Sequence, residues 1–139
     1  MKIKAYYLGI FTDVLGIDFK NNKVKINDAI SKDVYTEMEI SLDSVTILYN
    51  VGIDKNNSEI YSGDIVECFI DTDENGTPKY KVYQVIWNET YNCWWLSDLF
   101  GTEDEYFHRF NSNEMEIVDN IFQQHRYYNK DGKFYKWSF

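Results

Sequence analysis

Three observations predict a mainly β protein built as a small sandwich or barrel. Short alternating or apolar runs recur along the chain, with turn residues between them every eight to twelve positions or so. Aromatic residues make up 18% of the sequence, with twelve Tyr, nine Phe and four Trp, and such side chains favour pleated, half-buried surfaces. One proline and seven glycines leave no Pro/Gly linker and no low-complexity segment. At 139 residues the chain is expected to be one domain, or at most two small modules, and long enough to fold without metal or disulfide.

The elements follow in order. Residues 2–11, KIKAYYLGIF, read as a first strand interrupted at Gly9. Thr12 to Gly16 reads as a turn and Gly16 to Phe19 as the start of a second extended segment. Asn21-Asn22 is a pair tolerant of left-handed backbone, and it sets a hairpin turn before the alternation Lys23-Val24-Lys25-Ile26. Residues 27–33 read as a loop or a single helical turn. Tyr35 to Ile40 alternates again, Leu42 to Val45 is a short turn in which Asp43 can hold local amides, and Val45 to Tyr49 is a strand.

Tyr49 to Val66, YNVGIDKNNSEIYSGDIV, contains two close reversals. Gly52, Gly63 and Asp64 are read as their structural turn residues, and Ile65 to Ile70 as the core strand that follows. Asp71 to Pro78, with Asn75-Gly76 inside it, is the plainest loop. Tyr80 to Trp87 and Tyr91 to Leu96 form a hairpin around Asn88 to Thr90. A turn at Gly101 leads to a predicted strand over Tyr106 to Phe110, and Glu114 to Phe122 is extended. Arg126 to Trp137 reads as a final hairpin turning at Asn129 to Gly132.

The run Val51 to Val66 resembles the signature of YopX-type proteins, small proteins encoded mostly by phages and prophages of low-GC Gram-positive bacteria. That pattern is roughly T-G-L-x-D-K-N-G-x-E-I-Y-E-G-D-I-V; here Val51 stands for its Thr and Asn57-Ser58 for its Asn-Gly. Ile117 to Phe122 is similar to the closing I-G-N-I-Y strand of the family. Tyr83 to Trp87 and Cys93 to Leu96 match its paired strands. The resemblance covers residues 45–123. It implies an SH3-like barrel core there, with residues 1–44 as an N-terminal β segment packed on it and residues 124–139 as a hairpin extension. It also implies a phage or prophage origin and the cytoplasm of a bacterial host. The family carries no established activity, so the resemblance bears on fold and origin more than on function.

The formal charge of −9, with a pI near 4.6, sets a field that repels phosphate backbones and anionic lipid. Direct nucleic-acid and membrane binding are therefore disfavoured. The acidity is either a solubilising surface or a polyanion mimic that engages a basic partner. Cys68 and Cys93 lie in predicted strands with no hydrophobic signal segment before them, so reduced core thiols are expected. No run approaches the roughly 20 apolar residues of a membrane helix.

No constellation for catalysis emerges. His108 and His125 have no second His or Cys at metal-ligand spacing. A Cys93–His108 pair can be drawn, but an acidic surround raises a thiol pKa rather than lowering it. Asp71-Thr-Asp-Glu-Asn-Gly76 looks like the start of a calcium loop and lacks the later Glu and the flanking helices. Glu103-Asp104-Glu105 reads as a solvated loop. No cofactor and no metal are expected.

The aromatics are the stronger signal. Trp94 and Trp95 are adjacent, so on a strand they point to opposite faces. Together with Tyr106, Tyr127, Tyr128 and Trp137 they are more than a small core usually requires; they make either a bulky core with edge ladders or, where exposed beside carboxylates, a recognition surface. The expectation is a non-enzymatic accessory protein that binds a host protein or associates with itself. The alternative is a small-ligand binder that sequesters a nucleotide signal. A pocket with converging cations would favour the nucleotide, and a flat acidic face would favour a protein.

Overall fold

A computed structural model describes residues 2–27 and 37–122. The fold is mainly β; among the described residues it has two antiparallel sheets and only single 3-10 turns besides. The chain divides into two compact units between Asn50 and Val51.

In the first unit, β1 (Ile3–Tyr7), β2 (Ile10–Asp18), β3 (Lys23–Asn27), β4 (Glu37–Ser41) and the first part of β5 (Thr46–Ile53) pair in the order β4-β3-β2-β1-β5. The period-two pattern of β3 turns Val24 and Ile26 inward, where they are 1% and 0% exposed. Opposite them on β4 stand Ile40 and Met38, apolar against apolar. Ala5 is fully buried between flanking strands, and Val14, Ile17, Val45 and Ile47 pack around this group.

The predicted turn at Thr12 to Gly16 is instead the middle of β2. The register slips between Val14 and Gly16, a β-bulge that adds one residue and hides the alternation from the sequence. The break at Gly9 is a tight reversal rather than an irregular strand: Leu8 and Gly9 sit at φ +49° and +80°, joining β1 to β2. Asn22 takes the left-handed backbone at φ +54° in the next hairpin. At Leu42–Ser44 the chain makes a 3-10 turn capped by Ser41, whose Oγ accepts from the Asp43 amide. The Asp43 carboxylate does not hold local amides; it accepts from the Asn22 side chain at 2.9 Å. Tyr35 and Thr36, and most of the loop read over 27–33, lie outside the described residues, as does the hairpin read over Arg126 to Trp137.

The second unit holds the end of β5, then β6 (Glu59–Tyr61), β7 (Asp64–Thr72), β8 (Pro78–Asn88), β9 (Cys93–Asp98), β10 (Glu105–Tyr106) and β11 (Met115–Asn120). Its five-stranded sheet has the order β10-β9-β8-β7-β11. Near its start β7 has an apolar residue on each face, Ile65 and Val66, because both faces are covered there. Val66 and Cys68 join Tyr83, Val85, Leu96 and Met115 in one core, closed by Ile60, Phe107 and Phe110. Ile65 on the other face packs with Val82 beneath Leu99, Phe100, Val118 and Ile121.

Two reversals in this unit share one construction. Asp54-Lys-Asn-Asn-Ser58 joins β5 to β6, and Asp73-Glu-Asn-Gly-Thr77 joins β7 to β8. In each, the leading Asp donates its amide to the carbonyl four residues on, at 2.9 and 2.8 Å. Its carboxylate oxygen accepts from the amides two and four residues on, at 2.9 Å in the first turn and 2.8 Å in the second. The fourth residue is left-handed, Asn57 at φ +63° and Gly76 at +80°, because a tight reversal of twisted strands needs that geometry there. Asn57→Ala is expected to cost about 1 kcal/mol, since an alanine Cβ disfavours this backbone and lacks the amide that eases it. Asn57→Gly should leave stability unchanged or higher, as read by urea unfolding. Equal loss in both variants would contradict the turn geometry.

Two further readings need correction. Gly52 is a strand residue of β5, not a turn residue. A Cβ there would come within 3.3 Å of the Phe107 ring, so the glycine permits close approach rather than reversal. Phe107 to Arg109 is a 3-10 turn, and only Tyr106 of the predicted strand pairs in β10. With a repeat near three, Phe107 and Phe110 fall on one side and are both buried.

Candidate functional site

The cross-strand register sorts the aromatics of the second unit. Ile86 on β8 stands opposite Trp95 on β9, and Trp95 stands opposite Tyr106 on β10. Directly opposed residues share a face, so Ile86, Trp95 and Tyr106 lie together. Trp87 and Trp94 are paired on the other face, their rings edge to face at 5.1 Å. Trp94 leans on the larger core, so its part is packing. The adjacent tryptophans thus serve opposite faces.

Tyr91, from the β8–β9 turn, completes the Trp95 group. Its ring stacks on Trp95 at 5.4 Å and 10°. Tyr106 meets Trp95 edge-on at 4.6 Å and Tyr91 at 6.3 Å. Tyr91 is 60% and Tyr106 49% exposed, so three rings order one another at the surface. Such geometry is worth about 0.5–1.5 kcal/mol per pair and presents a rigid apolar platform. Of the other aromatics singled out from the sequence, Tyr127, Tyr128 and Trp137 lie outside the described residues. Tyr91 was not among them, because its place against Trp95 depends on a strand register that spacing alone does not reveal.

At the opposite end of β8 a groove of about 150 Å³ is lined by Lys55, Glu67, Phe69, Tyr80, Glu114 and Glu116. Phe69 and Tyr80 are cross-strand partners, edge to face at 5.9 Å. Glu67 and Glu116 face each other across β7 and β11. The Lys55 ammonium lies 3.0 Å from Glu116, which raises the lysine pKa, and Asn56 donates weakly to the same carboxylate at 3.5 Å. Glu67 is half-buried, and its carboxylate forms no hydrogen bond or ion pair with a described residue. Burial first, and the Glu116 charge second, lift its carboxyl above the usual glutamate range, with Lys55 opposing.

A raised carboxyl pKa means that the folded state holds this proton more firmly than the unfolded chain does. Its stabilisation is therefore largest below the ordinary glutamate range, around pH 4.3, and is lost as pH rises toward the folded value. Glu67→Gln is expected to raise the melting temperature at pH 7, with the gain disappearing as the pH drops below that range. A lower melting temperature at pH 7 would show that Glu67 is stabilised by a partner.

The remaining candidates are placed as follows. Burial pushes the Cys68 thiol up to about 12, far from nucleophilic use. Cys93 opens β9 opposite Asn88, and the His108 ring lies edge-on to Phe107 at 5.5 Å. The Asp73 carboxylate is turned onto its own loop amides. Glu103 pairs with Lys81, Asp104 accepts from the Asp98 amide at 2.8 Å, and Glu105 pairs with Arg109 at 2.6 Å. Among the described residues no group of three or more His, Cys, Asp or Glu could hold a metal ion. No helix among them is long and apolar enough to cross a membrane.

Gly63 lies in the turn between β6 and β7, and Asp64 opens β7. Gly63 has φ +89°, donates its amide to the Val85 carbonyl at 2.9 Å and accepts from Ile121 at 3.0 Å. The Asp64 carboxylate accepts from the Tyr61 amide at 2.7 Å. These two residues therefore tie the sheet's first strand to β8 and to the chain after β11. Comparison with protein-family models, curated proteins and solved structures returns no match for this chain.

Proposed function

We propose that the chain is a binding protein without catalytic chemistry, and that it engages a partner protein through the aromatic, acidic face of its five-stranded sheet. The observation that carries this reading is the Tyr91–Trp95–Tyr106 group, in which exposed Tyr91 and Tyr106 pack on half-buried Trp95 at the surface, outside both cores of its unit. Tyrosine and tryptophan are the residues that most often anchor protein interfaces, and pre-ordered rings lose little entropy on binding. The charge of −9 favours a basic partner. The YopX-like stretch, Val51 to Val66, supports a phage or prophage origin, an SH3-like arrangement for the core and a host factor as the partner.

The nucleotide alternative receives less support. The groove sets Lys55 as one cation among Glu67, Glu114 and Glu116, and Arg109 is engaged by Glu105 while lying over the Phe110 ring at 5.6 Å. Phosphates would meet carboxylates there.

The test is capture from a Gram-positive lysate on the tagged full chain, run beside Trp95→Ala, with bound small molecules analysed in parallel. A stoichiometric protein held by the parent chain and lost by Trp95→Ala is expected. A protein retained by the variant, or a nucleotide retained with no protein, would overturn the reading.

A further inference from the structure

We infer that the groove beside Phe69 and Tyr80 seats a guanidinium side chain of the partner, with Lys55 as the internal cation that it displaces. The inference rests on the binding reading above and deepens it by naming the chemistry of a second anchor on the same unit.

Among the described residues the groove's charges do not balance. Three carboxylates, Glu67, Glu114 and Glu116, line it with one ammonium, Lys55. Lys55 is spent on Glu116, which leaves Glu67 half-buried with no cation bonded to it among the described residues. A half-buried carboxylate held next to a second one across the strands is stabilised by any cation that enters between them.

The walls choose which cation. Phe69 and Tyr80 form an aromatic side, and Tyr80 is 52% exposed. A planar guanidinium can lie on aromatic rings while forking onto carboxylate oxygens, and it sheds water more readily than an ammonium. The volume, about 150 Å³, suits the end of one long side chain and is small for a nucleotide.

The spacing is consistent with one ligand reaching both anchors. Tyr80 and Ile86 are six residues apart on β8, roughly 20 Å along a strand. A partner segment of about that length, passing over Leu99 and Phe100 where they cover Val82, can place an apolar anchor on Tyr91, Trp95 and Tyr106 and an arginine in the groove.

The probe is N-acetyl-arginine amide, titrated into the isotopically labelled full chain and followed by amide chemical shifts. Saturable shifts are expected at Glu67, Phe69, Tyr80 and Glu116, with none from the neutral isostere N-acetyl-citrulline amide. Glu67→Gln should weaken binding about fivefold, and Lys55→Ala should tighten it roughly threefold, the range of an exposed ion pair. Lys25→Ala removes the same charge from the first unit, where Lys25 pairs with Glu37, and should change nothing. No saturable shift, equal binding of the citrulline probe, or equal effects of Lys25→Ala and Lys55→Ala would overturn the inference. If the arginine probe fails while Trp95→Ala still loses the captured protein, this inference falls and the binding reading stands.

Discussion

Asp54→Ala is expected to cost on the order of 4 kcal/mol, a loss comparable to truncating a large core side chain. Asp54 is only 3% exposed. One carboxylate oxygen accepts from the amides of Asn56 and Ser58, both at 2.9 Å, and the other accepts from Ile117 at 3.0 Å, sixty-three residues on. Lys55 next to it donates its amide to the Met115 carbonyl at 2.9 Å. The side chain therefore holds its own turn and fastens that turn to β11. Hydrogen bonds to a charged acceptor contribute more than neutral ones, and amides stranded by its removal keep their desolvation cost.

Asp54→Asn separates the two roles. Its single carbonyl oxygen can still serve Asn56 and Ser58, but its amino group would then confront the Ile117 amide, donor against donor. A loss of about half that of the alanine variant is expected. Urea unfolding at neutral pH measures both, and a loss below about 1 kcal/mol in Asp54→Ala would show that β11 is held by its strand pairing alone.

Gly63→Val is the second large effect, expected at about 3 kcal/mol or more. Two costs coincide. The backbone at φ +89° is one that a β-branched residue resists. A Cβ at this position would lie 2.6 Å from Phe122 Cε2 and 3.1 Å from its Cζ, so the ring must move from its place. The turn cannot shift freely to relieve this, because Gly63 is bonded through its backbone to both Val85 and Ile121. A double-mutant comparison isolates the parts. Phe122→Ala should recover the steric share in the Gly63→Val background and leave the backbone share. An unchanged melting temperature in Gly63→Val would remove this turn from the account.

The features readable from the sequence were those encoded within a few residues. Alternation at Lys23 to Ile26, the left-handed Asn22, and the Asn-Gly of the β7–β8 loop act locally, and each leaves its mark in composition. What was hidden depends on partners far along the chain. The bulge at Val14 to Gly16 breaks the period that marks a strand, so β2 looked like a turn. Gly52 serves the Phe107 ring, and a glycine needed for close approach looks in sequence like one needed for reversal. Phe107 and Phe110 carried a three-residue spacing that fits a 3-10 turn as well as it excludes a strand, yet only their shared burial decides it.

The surface was legible in part. Adjacent tryptophans on a strand must diverge, and Trp94 and Trp95 do. Which of them faces a core, and that Tyr91 stacks on the other, follow from the register of β8, β9 and β10. The groove was invisible for the same reason: Glu67 and Glu116 are forty-nine residues apart by their numbers and meet only through β7–β11 pairing.

The central claim is that the Tyr91–Trp95–Tyr106 face is where the partner sits. Hydrogen–deuterium exchange of the full chain, free and in complex with the captured protein, tests it most directly. Protection centred on residues 84–106, with any further protection limited to the groove strands at residues 67–69, 80 and 114–116 and the strands of the first unit exchanging as in the free chain, is the result this account predicts. Protection centred on the first unit, with residues 84–106 unchanged, would contradict it.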